Sequence, residues 1–494
     1  MKRTVCILLS LVLVLGTMTF GGFSASAAGS GTWGSLSWSL KSGVLTISGE
    51  GAMEDFPASP TVAWHANKLN LVTIHTVIIE DGVESIGANA FSTCNDIIEV
   101  SIPEGVKSIG ENAFYRCTSL TSVSIPESVT AIGSFAFIDC EAMVSANIPS
   151  GVETIGSSTF KGCGALKSIS IPESVKSIGA DAFNGCASLL EISVPDSVES
   201  IGGSAFRDCT GAKSLTLGKA VKSIGRSTFE GCSALTELVL PNSIESLGVS
   251  AFDSCTSLVS VSFGDSVKTI GKEAFYKCSS LKSLKLPDSV KSVGEKAFGS
   301  CTALADVELG GGIDALSDYM FSSCNGLMSI SFPDNVKSIG KYSFSGCSRL
   351  ESLTVGTGVT LVETMAFNLC QAIKTVNYSG TEAQWAQITV RSGNSALTDA
   401  NILCIDTPAE PNPDEPNPDE PGLPKALLGD VTGDGKVNSL DAAFVLRYDA
   451  SLIGEDELDL SGADVTGDGK INAQDAAFIL RYDAGLLPQF PAEG

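Results

Sequence analysis

Apolar side chains recur at a fixed step of 23 residues through the middle of the chain. Each step carries a phenylalanine, from Phe91 to Phe367, followed three residues later by a cysteine. The thirteen cysteines that keep this step are Cys94, Cys117, Cys140, Cys163, Cys186, Cys209, Cys232, Cys255, Cys278, Cys301, Cys324, Cys347 and Cys370. A fixed period in the twenties predicts a solenoid, in which each unit forms one coil and stacks on its neighbours.

The first half of a unit predicts a strand. Residues 120–140 read LTSVSIPESVTAIGSFAFIDC. The spacing of Leu120, Val123 and Ile125 indicates a short strand whose apolar side chains enter a core. Pro126 should end that strand, because proline cannot donate a hydrogen bond to the ladder.

The second half predicts another short inward-facing stretch and a turn. Val129 and Ile132 should face the core, and Gly133 should permit a tight turn with positive φ. A helical turn should follow, since side chains three residues apart share a helix face. Its inward residues would be Ala136, Phe137 and Cys140. Stacked coils would then form a phenylalanine ladder and a cysteine ladder.

The cysteines admit more than one interpretation. Cysteines in a secreted chain usually indicate a disulfide framework, but one per unit in an odd total does not pair naturally. We expect small buried apolar side chains. Coils about 4.8 Å apart would also be near enough for an occasional disulfide. Metal binding is disfavoured, because the chain has only two histidines, His65 and His75.

These units resemble the BspA-type (Treponema pallidum-type) leucine-rich repeat over thirteen copies, residues 76–376. The resemblance implies a leucine-rich-repeat solenoid of α+β class, with short strands and helical turns, and a role in adhesion or protein interaction. Local departures, at which we expect altered turns in an unchanged register, are Leu316-Ser317 and Val362-Glu363 in place of Ile-Gly, and Gly218, Gly264, Gly310 and Gly356 in place of the strand-ending proline.

Segments on either side of the array are predicted to cap its open ends. Residues 29–75 begin with an alternating stretch that predicts a β-rich hairpin, and residues 377–406 follow the last unit. These flanks contain all four tryptophans, Trp33, Trp38, Trp64 and Trp385. We expect the tryptophans to cover exposed coil edges; stacking on sugar is the alternative.

The outward positions of the predicted strands carry no strong binding signal. They are mostly small and polar, as at Ser101 and Ser122, and lack the aromatic and arginine side chains that form hot spots. The chain has no G-x-S-x-G and no H-E-x-x-H motif. A net charge of −25 argues against nucleic-acid binding. We therefore expect a non-catalytic array.

The N-terminus predicts export. Lys2 and Arg3 precede an apolar run, and Ala25-Ser26-Ala27 offers small residues for cleavage, so residues 1–28 read as a signal peptide. The apolar run is too short for a comfortable membrane span, and no later stretch resembles one. We expect a secreted, extracellular protein with no membrane insertion.

A Pro-rich acidic segment, residues 407–425, separates the array from the C-terminal region. Proline fixes φ and like charges repel, so this segment predicts an extended, semi-rigid linker. Beyond it, residues 430–450 and 464–484 are nearly identical and differ at only four positions. Each copy predicts a loop followed by one helix.

Both copies show a calcium-loop pattern, with oxygen donors at positions 1, 3, 5, 7, 9 and 12 and glycine, Gly435 or Gly469, at position 6. The lysines would offer backbone carbonyls. Clustered carboxylates repel until a cation binds, so each loop should fold around one Ca²⁺. The candidate ligands are Asp430, Thr432, Asp434, Lys436, Asn438 and Asp441 in the first loop, and Asp464, Thr466, Asp468, Lys470, Asn472 and Asp475 in the second.

Loop plus following helix, duplicated after a Pro-rich linker, resembles a type I dockerin over residues 426–488. The resemblance implies a small all-α calcium-binding domain, residues 426–494, that holds two Ca²⁺ ions and binds the cohesin module of a scaffolding protein. It also implies cohesin contacts at Ser439, Leu440 and Arg447 in the first copy, and at Ala473, Gln474 and Arg481 in the second. The pairs differ between copies, so equivalence of the two faces stays open.

Together these features predict a secreted, non-catalytic component of a cohesin–dockerin assembly such as a cellulosome. The repeats would present a surface to a protein, a cell or a substrate. One alternative is a carbohydrate-active or carbohydrate-binding subunit whose active region lies in the caps. Another is that the repeats form only a stalk.

Overall fold

The computed structural model describes residues 29–56, 73–405, 428–432, 436–450, 462–483, 486–487 and 489–491. Several sequence predictions fall outside these residues: the signal peptide, the linker, Trp64, His65, Asp434 and Gly435. The chain divides into two units, residues 1–407 and residues 408–494, and each is described by itself.

The first strand of each coil lies on one long face of the array. Neighbouring coils pair in parallel at a step of 23 residues, as Ser283 does with Asp306. The strands are β1 (Gly29–Trp33), β2 (Leu36–Lys41), β3 (Val44–Gly49), β5 (Thr76–Ile79), β7 (Glu99–Ser101), β9 (Ser122–Val123), β11 (Ser145–Ala146), β14 (Glu191–Ser193), β16 (Ser214–Thr216), β18 (Glu237–Val239), β20 (Ser260–Ser262), β22 (Ser283–Lys285), β24 (Asp306–Glu308), β26 (Ser329–Phe332), β28 (Ser352–Val355), β30 (Thr375–Tyr378) and β32 (Asn401–Cys404).

A second ladder of very short parallel strands follows the position of the predicted second stretch. Between coils of the array its register also steps by 23, and the departure at Leu316 still pairs with Ile339. The strands are β4 (Gly51–Ala52), β6 (Val83–Ile86), β8 (Ser108–Ile109), β10 (Ala131–Ile132), β12 (Thr154–Ile155), β13 (Ser177–Ile178), β15 (Ser200–Ile201), β17 (Ser223–Ile224), β19 (Ser246–Leu247), β21 (Thr269–Ile270), β23 (Ser292–Val293), β25 (Ala315–Leu316), β27 (Ser338–Ile339), β29 (Leu361–Val362) and β31 (Thr389–Val390).

The third side of each coil is a series of turns rather than a helical turn. Phe137 N–H donates to the carbonyl of Thr159 in the next coil at 2.8 Å, so these turns hydrogen-bond between coils. Phe135 and Asp139 adopt left-handed φ values of 61° and 57°. The predicted inward side chains are nevertheless buried, because the turns direct the same positions to the core.

Two side-chain ladders run through the core, as the 23-residue step predicts. Successive phenylalanine rings from Phe91 to Phe367 stack with centroids 5.1–5.7 Å apart. From Cys117 to Cys370, each thiol donates to the phenylalanine carbonyl 26 residues earlier at 3.0–3.3 Å. The twelve ladder cysteines from Cys117 to Cys370 are buried free thiols, and Cys94 is half-buried.

The prediction that Gly133 has positive φ is wrong. Its φ is not left-handed, and Phe135 two residues later takes that role. A Cβ on Gly133 would lie 2.5 Å from the backbone nitrogen of Glu111, in the preceding coil. Glycine is therefore needed because neighbouring backbones approach closely, not because of the backbone conformation.

Glycine also alternates with proline in the second half of the array. Pro195, Pro241, Pro287 and Pro333 are each followed one coil later by Gly218, Gly264, Gly310 and Gly356. A Cβ on Gly218 would lie 2.0 Å from the carbonyl oxygen of Pro195. Strands β14 and β16, β18 and β20, and β22 and β24 correspondingly form separate two-stranded sheets. On the first-strand face these coils therefore pair as doublets, whereas on the second face β17, β19, β21 and β23 form one continuous four-stranded sheet.

Both ends of the array are covered. At the N-terminal end, β1, β2 and β3 are antiparallel, and β3 then pairs in parallel with β5. Two short helices, α1 (Glu382–Trp385) and α2 (Ser395–Thr398), lie at the C-terminal end, where β32 pairs with β30. Trp33, Trp38 and Trp385 are partly buried against the core, as expected for residues that cover coil edges.

Within its described residues, the C-terminal unit contains two helices, α3 (Ser439–Asp449) and α4 (Ala473–Asp483). Their buried side chains form one small core that includes Ala442, Val445, Ala476 and Ile479. Each helix starts at position 10 of one of the predicted loops, so the duplicated sequence folds into two loop–helix segments that share this core.

Candidate functional site

A fully buried carboxylate closes the second loop. Asp475 Oδ1 accepts hydrogen bonds from Thr466 N–H at 3.1 Å and from Thr466 Oγ1 at 2.9 Å. Its Oδ2 accepts from Asn472 N–H at 3.0 Å. Loop positions 3, 9 and 12 are therefore brought together, in the order that the spacing predicts.

The first loop repeats this arrangement. Asp441, also fully buried, accepts at Oδ1 from Thr432 N–H at 3.1 Å and from Thr432 Oγ1 at 2.9 Å. Its Oδ2 accepts from Asn438 N–H at 2.8 Å. Asp430 at position 1 is buried as well. Among its six predicted ligands, only Asp434 falls outside the described residues.

The second loop winds around the carboxylate of Asp464. Backbone N–H groups of Gly467, Asp468 and Gly469 donate to it at 2.7, 3.2 and 2.8 Å. Gly469 adopts a φ of 82°, which a glycine accommodates at this sharp turn. Desolvation raises the pKa of Asp464, but the hydrogen bonds from Gly469 and Gly467 lower it by more, so its pKa lies below the ordinary value.

Apart from Asp468, the remaining candidate metal ligands of the second loop are neutral side chains or backbone carbonyls. Lys470 N–H donates to Asp468 Oδ1 at 2.9 Å. Asn472 Oδ1 accepts from Gln474 N–H at 2.8 Å and caps helix α4. In the described part of the chain, no three His, Cys, Asp or Glu side chains form a ready metal cluster. The donor set nevertheless suits a hard cation, because it consists of carboxylate, hydroxyl, amide and carbonyl oxygens.

The helices present all six predicted cohesin contacts on the surface. Ser439, Leu440 and Arg447 are exposed on α3, and the matching Ala473, Gln474 and Arg481 are exposed on α4. Leu440 is 51% exposed, which is high for a leucine. Each loop and its helix therefore bring the calcium pattern and the contact pair into one segment.

Two aromatic rings and two leucines add to this surface. Arg447 lies over the ring of Phe444, and Arg481 over that of Phe478, each at 5.6 Å. Leu446 and Leu480 are each 43% exposed beside these arginines. Sequence reasoning missed both leucines. The sequence could have indicated them, because each leucine lies seven residues after Ser439 or Ala473 and therefore on the same helix face.

The strand face of the array is polar, as predicted. Outward residues such as Ser122 and Ser145 are exposed. The exceptions are single aliphatic side chains, among them Leu190 and Val239. Isolated exposed aliphatics are ordinary on protein surfaces, so this face does not identify a ligand.

Comparison with protein families decides what the array is. Three overlapping segments, residues 68–189, 153–282 and 268–387, match the model of the BspA type leucine rich repeat region, and together they span more than half of the chain. The chain belongs to the BspA-type leucine-rich-repeat family. Residues 428–482 match the dockerin type I domain, so this BspA-type protein also carries a dockerin.

Solved structures of bacterial leucine-rich-repeat proteins are similar to this BspA-type chain. One from Bacteroides ovatus is 25% identical, with a TM-score of 0.49, and the match covers 75% of this chain and 90% of that one. A leucine rich cell surface protein from Faecalibacterium prausnitzii is 29% identical, with a TM-score of 0.40 and coverage of 74% and 99%. One from Eubacterium ventriosum is 21% identical, with a TM-score of 0.41 and coverage of 78% and 97%. No curated protein matches the chain.

These matches describe the class of protein. Type I dockerin domains bind calcium, and a dockerin implies a cohesin partner. Proteins with BspA-type repeats or a dockerin are typically extracellular or on the cell surface, and both modules are typically non-catalytic. Across the described residues, the helices are all too short or too polar to cross a membrane.

Proposed function

We propose that the chain is a secreted, non-catalytic binding protein that docks through its dockerin to a cohesin of a scaffolding protein, in a cellulosome-like assembly. The observation that carries this proposal is the geometry of the second loop. Asp464 is held at its centre by three backbone N–H groups, while the buried Asp475 closes it. This arrangement fixes two carboxylates of one loop, one of them in the first turn of helix α4, whose outer face is exposed.

Each loop would hold one Ca²⁺ ion, giving two per chain. A buried carboxylate such as Asp441 or Asp475 is costly when only neutral donors compensate its charge, and a cation within the loop would offset that cost. The ligands would be the twelve residues that the spacing predicts, with Lys436 and Lys470 contributing carbonyl oxygens.

Cohesin would then bind the exposed helix faces. Ser439 and Leu440 with Arg447 would form one face, and Ala473 and Gln474 with Arg481 the other. Leu446 and Leu480 would add apolar contact beside each arginine. Because helix α3 and helix α4 begin at the loops, filling the loops would set the position of both faces.

The repeats would present a surface to a further partner, and the dockerin would place that surface on the scaffold. This role requires no catalytic group. Exposed positions on the strand face are small and polar, which does not suggest a deep substrate site and leaves the partner to be identified. Polysaccharide breakdown would then be the task of other members of the assembly.

Calorimetry of the full chain against a panel of cohesins, in Ca²⁺ and in EGTA, tests the docking role. We expect binding in Ca²⁺ that is lost in EGTA. Asp475→Asn should weaken Ca²⁺ binding by roughly the 10–100-fold seen when metal-site partners are removed, or more. Lys470→Ala is the matched control, because it keeps the carbonyl that would ligate. If no cohesin binds while Ca²⁺ still orders the loops, the docking proposal fails.

A further inference from the structure

One hydrogen bond ties the end of the first dockerin helix to the start of the second. Ala473 N–H donates to Asp449 Oδ2 at 2.9 Å. Asp449 is the last residue of α3, and Ala473 is the first residue of α4. The first N–H groups of a helix have no partner within the helix, so an outside carboxylate is a favourable acceptor for them.

Among the described residues, no corresponding hydrogen bond joins the end of α4 to the start of α3. By the near-identity of the two copies, Asp483 matches Asp449, and Ser439 matches Ala473. All four residues are described, yet no hydrogen bond joins Asp483 to Ser439 in this part of the structure. Two nearly identical sequences are therefore linked by a one-sided contact.

This contact lies next to candidate ligands of the second loop. Ala473 directly follows Asn472, whose side chain caps α4, and it precedes Gln474 of the second contact pair. At the other end of α3, Asp441 holds the backbone of Asn438. Helix α3 therefore connects the first loop to the beginning of α4 through hydrogen bonds at both of its ends.

We propose that Asp449 is a positioning residue for the second cohesin face. It would hold Ala473 and Gln474 in place and make their order depend on α3, and through α3 on the first loop. The first face, at Ser439 and Leu440, has no equivalent support from Asp483. This inference rests on the proposed docking function, but the bond itself can be tested without any cohesin.

Hydrogen exchange of the full Ca²⁺-loaded chain tests the bond. Asp449→Ala should raise the exchange rate of the Ala473 amide roughly fivefold, the factor expected when a helix cap is lost. Asp483→Ala is the matched control and should leave the Ser439 amide unchanged. Equal effects of the two variants, or no effect of Asp449→Ala, would overturn the inference whether or not cohesin binds.

Cohesin calorimetry then separates the two faces. With the first face disabled by Leu440→Glu, Asp449→Ala should weaken cohesin binding roughly fivefold. With the second face disabled by Gln474→Glu, the same change should leave the dissociation constant unaltered. A merely structural role for Asp449 would weaken binding in both backgrounds, and that result would contradict a face-specific role.

Discussion

Asp441 and Asp475 each serve a loop and a helix at once. Both carboxylates accept from the threonine at position 3 and from the backbone N–H of the asparagine that caps the helix. The spacing of the sequence predicted these aspartates as loop residues. It could not reveal their complete burial or their partners, because side-chain direction depends on how the loop closes.

Asp464 gives the second loop a defined dependence on pH. Its pKa is lower in the folded loop than the ordinary carboxyl value of about 3.9. Ionised Asp464 therefore stabilises the folded loop above that value, and the contribution is lost as the pH falls through the lowered pKa. In calcium-free buffer, the Gly469 amide NMR shift should titrate with this pKa in those molecules whose empty loop keeps the hydrogen bond from Gly469 N–H to Asp464. Asp464→Asn should abolish the titration, whereas persistence in that variant would contradict the assignment.

The cysteine ladder should resist alkylation while the array is folded. Cys232 is 1% exposed, and burial raises its pKa to about 12, so little thiolate exists at pH 8. Iodoacetamide followed by mass spectrometry should therefore find the buried ladder cysteines unmodified. The half-buried Cys94 and Cys404 are the internal comparison and should react first. Urea should expose all of them, and rapid labelling of Cys232 without urea would refute the expectation.

At the level of the coil, contacts between neighbouring backbones determine features that the 23-residue period could not predict. The 3- and 23-residue spacings predicted the strands, the inward residues and the register. The reason for Gly133 was missed, because a glycine in a sequence does not reveal whether φ or a neighbouring backbone requires it. Helical turns were expected because the inward residues lie three positions apart, a spacing that the observed consecutive turns also bury.

Substitution by alanine distinguishes coil glycines that a neighbouring backbone crowds from those that have open space around them. Gly218→Ala places a Cβ against the carbonyl of Pro195 and should destabilise the array by about 1–3 kcal/mol, the usual cost of overpacking. Gly164→Ala is the control, because its Cβ would have nothing within 4 Å. Guanidinium unfolding followed by circular dichroism measures both. Equal midpoints for the two variants would show that the close approach does not constrain the coil.

At the scale of the molecule, one repeat unit accounts for the structure of every coil in the array but not for its two capped ends. Every ladder contact joins neighbouring coils, so stability should sum over nearest neighbours. This is why the sequence alone predicted the solenoid over residues 76–376. The hydrogen bond between Asp449 and Ala473 could not be predicted in this way, because the two loop–helix copies are nearly identical and the bond forms in only one direction.

Removal of one phenylalanine should therefore divide the array. Phe229→Ala, in the middle, should cost about 3–5 kcal/mol and uncouple the coils on either side. Phe91→Ala, beside the N-terminal cap, should carry a comparable local cost but leave one long cooperative block. Hydrogen exchange at increasing guanidinium would show two separately opening blocks for Phe229→Ala. A single unchanged transition would argue against nearest-neighbour coupling.

The equal length of the coils, and the pairing of proline coils with glycine coils, have a consequence for how the gene can gain or lose repeats. Recombination between misaligned copies of the gene removes or adds whole coils without disturbing register, because every coil has the same length. In the half from Pro195 to Gly356, loss of a doublet also leaves each glycine beside its proline, whereas loss of one coil brings two prolines or two glycines together. Prolines already stand in consecutive coils from Pro126 to Pro195, so single coils can also be lost or gained. Descendants of this chain should therefore vary in array length by whole coils, and their reach should change in discrete increments.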